Sequence, residues 1–281
     1  LQSVHQAAKE GAEERLLDVD ANGTVKLDDA KRKITDDTAL CSVMWVNNET
    51  GVIQPIEELA QLAKAAGAIF HTDAVQAFGK MDVDARKIPF DFVSVSGHKI
   101  GAPKGIGVFY IRRGSPFEPL FFGGSQDRGR RPGTENVAYA VGLARAMELA
   151  VEEREAHWTE LEGMRNRLEA ALLARIPDAV VHSRGARRAP HVLNISVPGT
   201  DSESMLMALD LAGVACSSGS ACQSGSVTPS HVLSAMGVRS DLAGAAIRMS
   251  MGSLTTESCV ERVSELFPAL IQKARGLAGA A

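Results

Sequence analysis

Ser96-Gly97-His98-Lys99 closes the apolar run Phe92-Val93-Ser94-Val95 and leads into Gly101-Ala102-Pro103-Lys104-Gly105-Ile106-Gly107. A lysine amine attacks a carbonyl only when neutral, so a carbonyl-trapping lysine needs a partly desolvated site. A buried strand ending in a Gly/Pro-rich loop offers one, and Lys99 stands there. The alternative is a lysine in a tight turn at a strand terminus. Two further segments repeat this placement. His71-Thr72-Asp73-Ala74-Val75-Gln76 follows Ala68-Ile69-Phe70, and Val46-Asn47-Asn48-Glu49-Thr50-Gly51 follows the run Leu40 to Trp45.

Pyridoxal 5'-phosphate (PLP) is a carbonyl cofactor that would use all three. It works as an electron sink while its pyridine nitrogen is protonated, which an acidic partner at a strand end secures. Asp73 is the candidate, and Gln76 could hydrogen-bond the phenolic oxygen. Asp73 could instead cap a helix. The Asn side chains could point into a cleft or close an Asx turn. A second kind of chemistry is suggested by Cys216-Ser217-Ser218-Gly219-Ser220-Ala221-Cys222-Gln223-Ser224-Gly225-Ser226. Reactive cysteines occupy accessible polar surroundings, which is where Cys222 falls, whereas Cys41 and Cys216 adjoin apolar runs. A disulfide or a pair of metal ligands at 216 and 222 is an alternative. Zinc needs about four ligands, and no second Cys or His pair with suitable spacing stands nearby, so no metal is expected.

These motifs, with Gly123 to Asn136 and Ala246-Ile247-Arg248-Met249-Ser250-Met251-Gly252, resemble the PLP-dependent cysteine desulfurases of the NifS/IscS type. Those are fold-type I enzymes related to class V aminotransferases. The resemblance runs from about Leu16 to the C-terminus. It implies that Lys99 forms the Schiff base and acts as the base, with Asp73 on the pyridine nitrogen. Gln76 and Asn48 would contact the phenolic oxygen and the substrate, and Ser96 and His98 the phosphate. Thr134 would reach the phosphate bound by the other subunit of a homodimer. Arg248 would hold the carboxylate of L-cysteine, a role suited to its planar bidentate fork. Cys222 would take the sulfur as a persulfide, leaving L-alanine. An iron–sulfur scaffold or another acceptor, such as the machinery of tRNA thiolation, would receive it. Selenocysteine lyase is a neighbouring possibility. A sulfur-transfer or docking fragment without cofactor is one of a different class. The resemblance also implies an upstream portion with a phosphate-cradling turn and a ring-stacking histidine. Neither is matched here, so the chain is expected to be N-terminally truncated and to bind PLP poorly alone.

The 281 residues are 45% hydrophobic and 23% charged, the balance of a globular protein long enough for two domains. The expected division is a PLP-binding domain, 1–150, and a smaller α+β domain, 151–281. A net charge of −4 argues against a nucleic-acid-binding surface. No apolar run reaches the roughly 18 residues of a membrane span. The cysteines form no disulfide framework, which fits a reducing, cytoplasmic compartment. Strand-like runs at 41–46, 68–72, 92–96 and 107–111 alternate with helical patterns. Residues 56, 59, 60 and 63 are apolar at helical spacing, closed by Gly67. This alternation predicts an α/β fold with a mainly parallel sheet. Ligands in such sheets bind beyond the strand ends, where Asn48, Asp73 and Lys99 fall. A long helical stretch, 138–174, is expected to bend near 157–162. Strands at 191–197 and 246–251 and helices at 202–211 and 257–275 should complete the chain.

Overall fold

A computed structural model describes residues 2–219 and 229–278. The chain runs α1 (Gln2–Lys9), α2 (Leu27–Lys33), β1 (Leu40–Met44), α3 (Ile56–Ala65), β2 (Ile69–Asp73), β3 (Phe92–Ser96) and β4 (Gly107–Ile111). It continues through α4 (Val137–Glu152), α5 (Arg154–Arg175), β5 (Val180–Val181), β6 (Val192–Ser196), α6 (Ser202–Leu211) and β7 (Ser217–Ser218). Last come α7 (His231–Ala235), α8 (Ser240–Gly244), β8 (Ala246–Ser250) and α9 (Glu257–Ala278).

The first sheet has the order β1-β2-β3-β4, with β1, β2 and β3 parallel and β4 antiparallel. Strand side chains alternate between faces. In β1 and β2, Cys41, Val43, Phe70 and Thr72 are buried on one face. There they meet α3, whose Ile56, Leu59, Ala60 and Ala63 recur at the 3.6-residue period. Gly67, at φ +77°, supplies the left-handed residue after α3. The opposite face is open: Leu40, Ser42 and Phe109 are exposed. His71 spans that face, with Nδ1 2.8 Å from Ser42 Oγ and Nε2 2.9 Å from Ser94 Oγ.

The second sheet, ordered β5-β6-β8-β7, is antiparallel throughout. Leu193, Ile195, Ile247 and Met249 from its centre join Leu168 and Leu172 of α5, Met205 and Leu209 of α6, and Phe267 and Ile271 of α9 in one core. Pro268 lies inside α9. Proline has no N–H, so the carbonyl four residues earlier loses its helical donor. That carbonyl, Ser264 O, accepts instead from Arg175 Nη1 at 2.6 Å.

The long helical stretch breaks at Glu153, between α4 and α5, and not near 157–162 as the sequence suggests. Residues 157–162 are regular helix. Their charged contacts, His157 with Glu153 at 3.6 Å and Glu162 with Arg165 at 3.4 Å, are ordinary i,i+4 and i,i+3 pairs. The bend is set by packing: α4 contacts the turn after β3, whereas α5 lies along α9.

His182 and His191 are both buried. Nε2 of His182 lies 2.7 Å from Ser196 Oγ. Burial holds the His182 ring down to about 4 from its ordinary 6.5, and that of His191 down to about 3. Below 6.5 the unfolded chain therefore binds protons that the folded one refuses. Stability is complete above that value and falls as the pH drops toward 4, by about 1.4 kcal/mol per pH unit for each histidine. Urea midpoints at about pH 7 and about pH 5 should show His182→Gln losing about 2 kcal/mol less than the unsubstituted protein. Equal losses would mean that the fold does not hold His182 neutral.

Candidate active site

The register pairs Met44 with Asp73 and Asp73 with Ser94, so the carboxyl ends of β1, β2 and β3 lie side by side. Each exit turns sharply. After β1, Asn47 Oδ1 accepts from the backbone N–H groups of Glu49 at 2.9 Å and Thr50 at 3.0 Å. Gly51 at φ +79° completes this Asx turn, with its own N–H on Asn47 O at 2.8 Å. After β2, Asp73 Oδ1 accepts from Val75 N–H at 2.9 Å, closing a short turn with no helix behind it. The other carboxylate oxygen takes no part in that bond. After β3, Gly97–Ile100 forms a single 3-10 turn carrying His98 and Lys99. Ser96 Oγ and His98 Nδ1, both expected at a phosphate, lie 2.7 Å apart.

The second sheet reaches into these exits from far along the chain. Arg248 Nη1, on β8, donates to Asn48 O at 2.9 Å. Asn194 Nδ2, on β6, donates to Glu49 O at 3.0 Å. His191 Nε2–H donates to Gln76 Oε1 at 3.0 Å, and Ser230 Oγ–H donates to the Glu49 carboxylate. Asn48, Asp73, Gln76, Ser96, His98, Lys99 and Arg248 thus belong to one region.

That region is electropositive. His191 is kept neutral first by burial and then by Lys80, Arg248, Lys99 and Arg165. Burial, followed by the charge of Lys99, pulls the Lys80 amine down to about 8. Among the described residues, Arg248 Nε is buried without a hydrogen-bond partner, as is His191 Nδ1. A cationic donor left unsatisfied in a low-dielectric cleft favours an incoming anion. The donor set therefore fits a phosphate and a carboxylate, the two anionic ends of PLP and an amino acid.

One expectation, the desolvation of Lys99, needs adjustment, and the placements of Thr134 and Cys222 are not tested by the described residues of a single subunit. Lys99 is exposed, so it lacks the desolvation asked of it. The open sheet face beside its 3-10 turn leaves it uncovered, and the amine that is partly desolvated is that of half-buried Lys80. Thr134 is not brought to the strand ends by any contact of the described residues; its whole segment, 133–140, is exposed. Cys222 lies outside the described residues. Cys216 is half-buried against the second core, and burial pushes its thiol up to about 11, as it does for Cys41. Neither is suited to be a nucleophile at neutral pH. Sequence reasoning missed Glu49, Lys80, His191, Asn194 and Ser230. Each is a common polar residue, and only its burial between segments, partial for Lys80, marks it out.

The aminotransferase class-V family matches residues 1–263. Cysteine desulfurase NifS of Azotobacter vinelandii is 45% identical over 270 residues, covering 96% of this chain and 67% of that protein. A cysteine desulfurase of Nostoc sp. is 44% identical, covering 93% of this chain and 65% of the relative. Cysteine desulfurase IscS of Clostridium botulinum is 42% identical, with 95% and 68% covered. The chain thus spans about two thirds of the length of these curated relatives. Among solved structures, a NifS-like protein superposes with a TM-score of 0.88 at 34% identity, covering 96% of this chain and 71% of the other. A NifS-like protein from Rickettsia africae gives 0.87 at 28% identity, with 97% and 73% covered. The mainly parallel α/β sheet, the cationic strand-end cleft and these similarities agree that the chain belongs to the aminotransferase class-V family.

Proposed function

We propose that this protein is a PLP-dependent cysteine desulfurase that converts L-cysteine to L-alanine and keeps the sulfur as a persulfide on Cys222. The observation that carries the reading is Arg248. It reaches across the cleft to Asn48 O yet keeps a buried Nε without a partner, beside the exits that carry Asp73 and Lys99. The names of the relatives support the same activity. PLP, when bound, supplies an electron sink that withdraws charge from the substrate carbon.

The residues of this chain divide the remaining work. Asp73 offers its free carboxylate oxygen to hold a proton on the pyridine nitrogen. His191 fixes the amide oxygen of Gln76, which turns the Gln76 NH₂ donor toward the cleft and the phenolic oxygen. Asn48 contacts that oxygen and the substrate. Ser96 and His98 bind the phosphate. Lys99 carries the covalent attachment and moves the substrate proton. Arg248 orients the substrate carboxylate, and the Cys222 thiolate takes the sulfur. Thr134 serves the other subunit's phosphate. An iron–sulfur scaffold or another sulfur acceptor then receives the persulfide sulfur.

The dimer that Thr134 requires has a surface suited to it. Helix α4 is rich in apolar residues yet buries only Leu143. Val137 and Val141 of α4 are exposed, and so are Leu120 and Phe122 in the segment before it, at 83% and 87%. Exposed apolar side chains in such number suit an interface. In sedimentation equilibrium the unsubstituted protein should be a dimer and Phe122→Lys/Val141→Lys a monomer. A monomeric unsubstituted protein would remove Thr134 from the site.

Two peptide maps of the PLP-loaded protein test the activity. Borohydride reduction should leave the pyridoxyl label on Lys99; label on Lys80 or Lys104 would overturn the assignment. L-Cysteine should release alanine and add one sulfur to the Cys222 peptide. Sulfur on Cys216, or alanine without sulfur on Cys222, would refute the transfer step.

Arg248→Ala should raise KM for L-cysteine more than it lowers kcat, because a carboxylate is bound alike before and during reaction. Loss of a charged hydrogen bond worth about 1.5–3 kcal/mol corresponds to a factor of about 10 to 150. An unchanged KM would make Arg248 a purely structural link to Asn48.

A further inference from the structure

Glu49 is a buried carboxylate with no place in the chemistry above. It is 4% exposed and projects from the Asx turn after β1. Its carboxylate accepts from Ser230 Oγ–H. Ser230 is buried too, and its Oγ caps α7 by accepting from Val232 N–H at 3.1 Å and Leu233 N–H at 3.2 Å. Gly219 comes close to the same carboxylate oxygen, beside Ser230. A Cβ there would lie 2.5 Å from Glu49 Oε2 and 3.4 Å from Ser230 Cβ. The φ of Gly219 is not positive, so lack of space is what demands glycine. One carboxylate thus lies against both Gly219 and Ser230, the two residues that bracket the stretch of sequence containing Cys222. Burial pushes the Glu49 carboxyl up, while the Ser230 hydroxyl, His231 and Arg248 draw it back down. Its backbone is pinned as well: Glu49 O accepts from Asn194, and the preceding carbonyl accepts from Arg248.

We propose that Glu49 is a positioning residue for sulfur transfer, a single buried carboxylate that holds Ser230 by a hydrogen bond and packs closely against Gly219, setting both beside the strand-end turn of the cofactor cleft. The inference rests on the desulfurase reading. Glu49 touches neither cofactor nor substrate in it. Its effect is to set where the chain leaves and re-enters the fold on either side of Cys222, relative to the turn that bears Asn48. Misplacement of a reacting group by about 1 Å costs up to about a hundredfold in rate. Such a loss should fall on transfer and spare cofactor and substrate binding.

The test uses the PLP-loaded protein mixed with L-cysteine and quenched at intervals. It reads the growth of the Cys222 persulfide by mass spectrometry and the cysteine dependence of the cofactor absorbance. Glu49→Ala should slow persulfide formation by about tenfold to a hundredfold, with half-saturation of the absorbance change within about twofold of the unsubstituted protein. Ser230→Ala should show the same split and Ser230→Thr should restore the rate. Glu49→Ala/Ser230→Ala should be no worse than Glu49→Ala, since coupled partners are non-additive. Hydrogen exchange in the peptide 229–236 should rise in Glu49→Ala, with α9 unchanged. Unaltered persulfide rates, losses that multiply in the double variant, or an equal loss in cofactor binding would each overturn the proposal. If Glu49→Ala does not fold, the Ser230 pair decides alone. If the unsubstituted protein forms no Cys222 persulfide, the desulfurase reading fails, while the exchange measurement still reports whether Glu49 holds Ser230.

Discussion

The carbonyls of Asn48 and Glu49 accept hydrogen bonds from Arg248 and Asn194, on neighbouring strands of the second sheet. These bonds join the exit of β1 to the other half of the molecule. Asn194 is fully buried, so its amide has no water to fall back on if the turn moves away. The turn in turn depends on Asn47, whose side chain engages two backbone N–H groups, and on Gly51. A Cβ at Gly51 would come within 3.2 Å of Val192 Cβ, at the start of β6. The cleft is therefore a joint between two sheets, and its geometry is no better fixed than this turn.

The charge arrangement at the joint opposes stability. Lys80, Lys99, Arg165 and Arg248 surround a histidine that burial keeps from taking a proton. Gathering like charges in a poorly solvated place raises the energy of the free protein. The same arrangement lowers the energy of a bound anion, so the strain is relieved when a phosphate or carboxylate enters. Conflict of this sort between folding and binding is characteristic of functional sites. Away from this joint, the proline inside α9 has its lost donor replaced by Arg175.

Apolar surface follows a similar logic. The open face of the first sheet and the length of α4 leave aromatic and aliphatic groups in water. Lys99 is exposed on the turn that follows β3 of that sheet. A lysine so placed lacks the desolvated surroundings of a carbonyl-trapping amine. Covering this side, by a partner subunit or by bound cofactor, would supply the desolvation that the described residues do not.

Local rules made much of this protein legible. The Ser-Gly-His-Lys exit, the Asp73 and Asn47-Asn48 turns and the alternation of strands with helices are read within windows of a few residues. Periodicity and turn chemistry act over that range, and α3, α6, β3 and β4 appear where such reading puts them. Arg248 was legible too, because a charge inside an apolar strand needs a reason. What the tertiary structure alone decided involves residues far apart in sequence. Glu49 meets Ser230, Gln76 meets His191, and Asn48 meets Arg248 only because the two sheets dock in one register. The partial burial of Lys80, the exposure of Lys99 and the bend at Glu153 are likewise products of packing. A side chain's solvation depends on what covers it, and a short stretch of sequence does not contain the residues that do the covering.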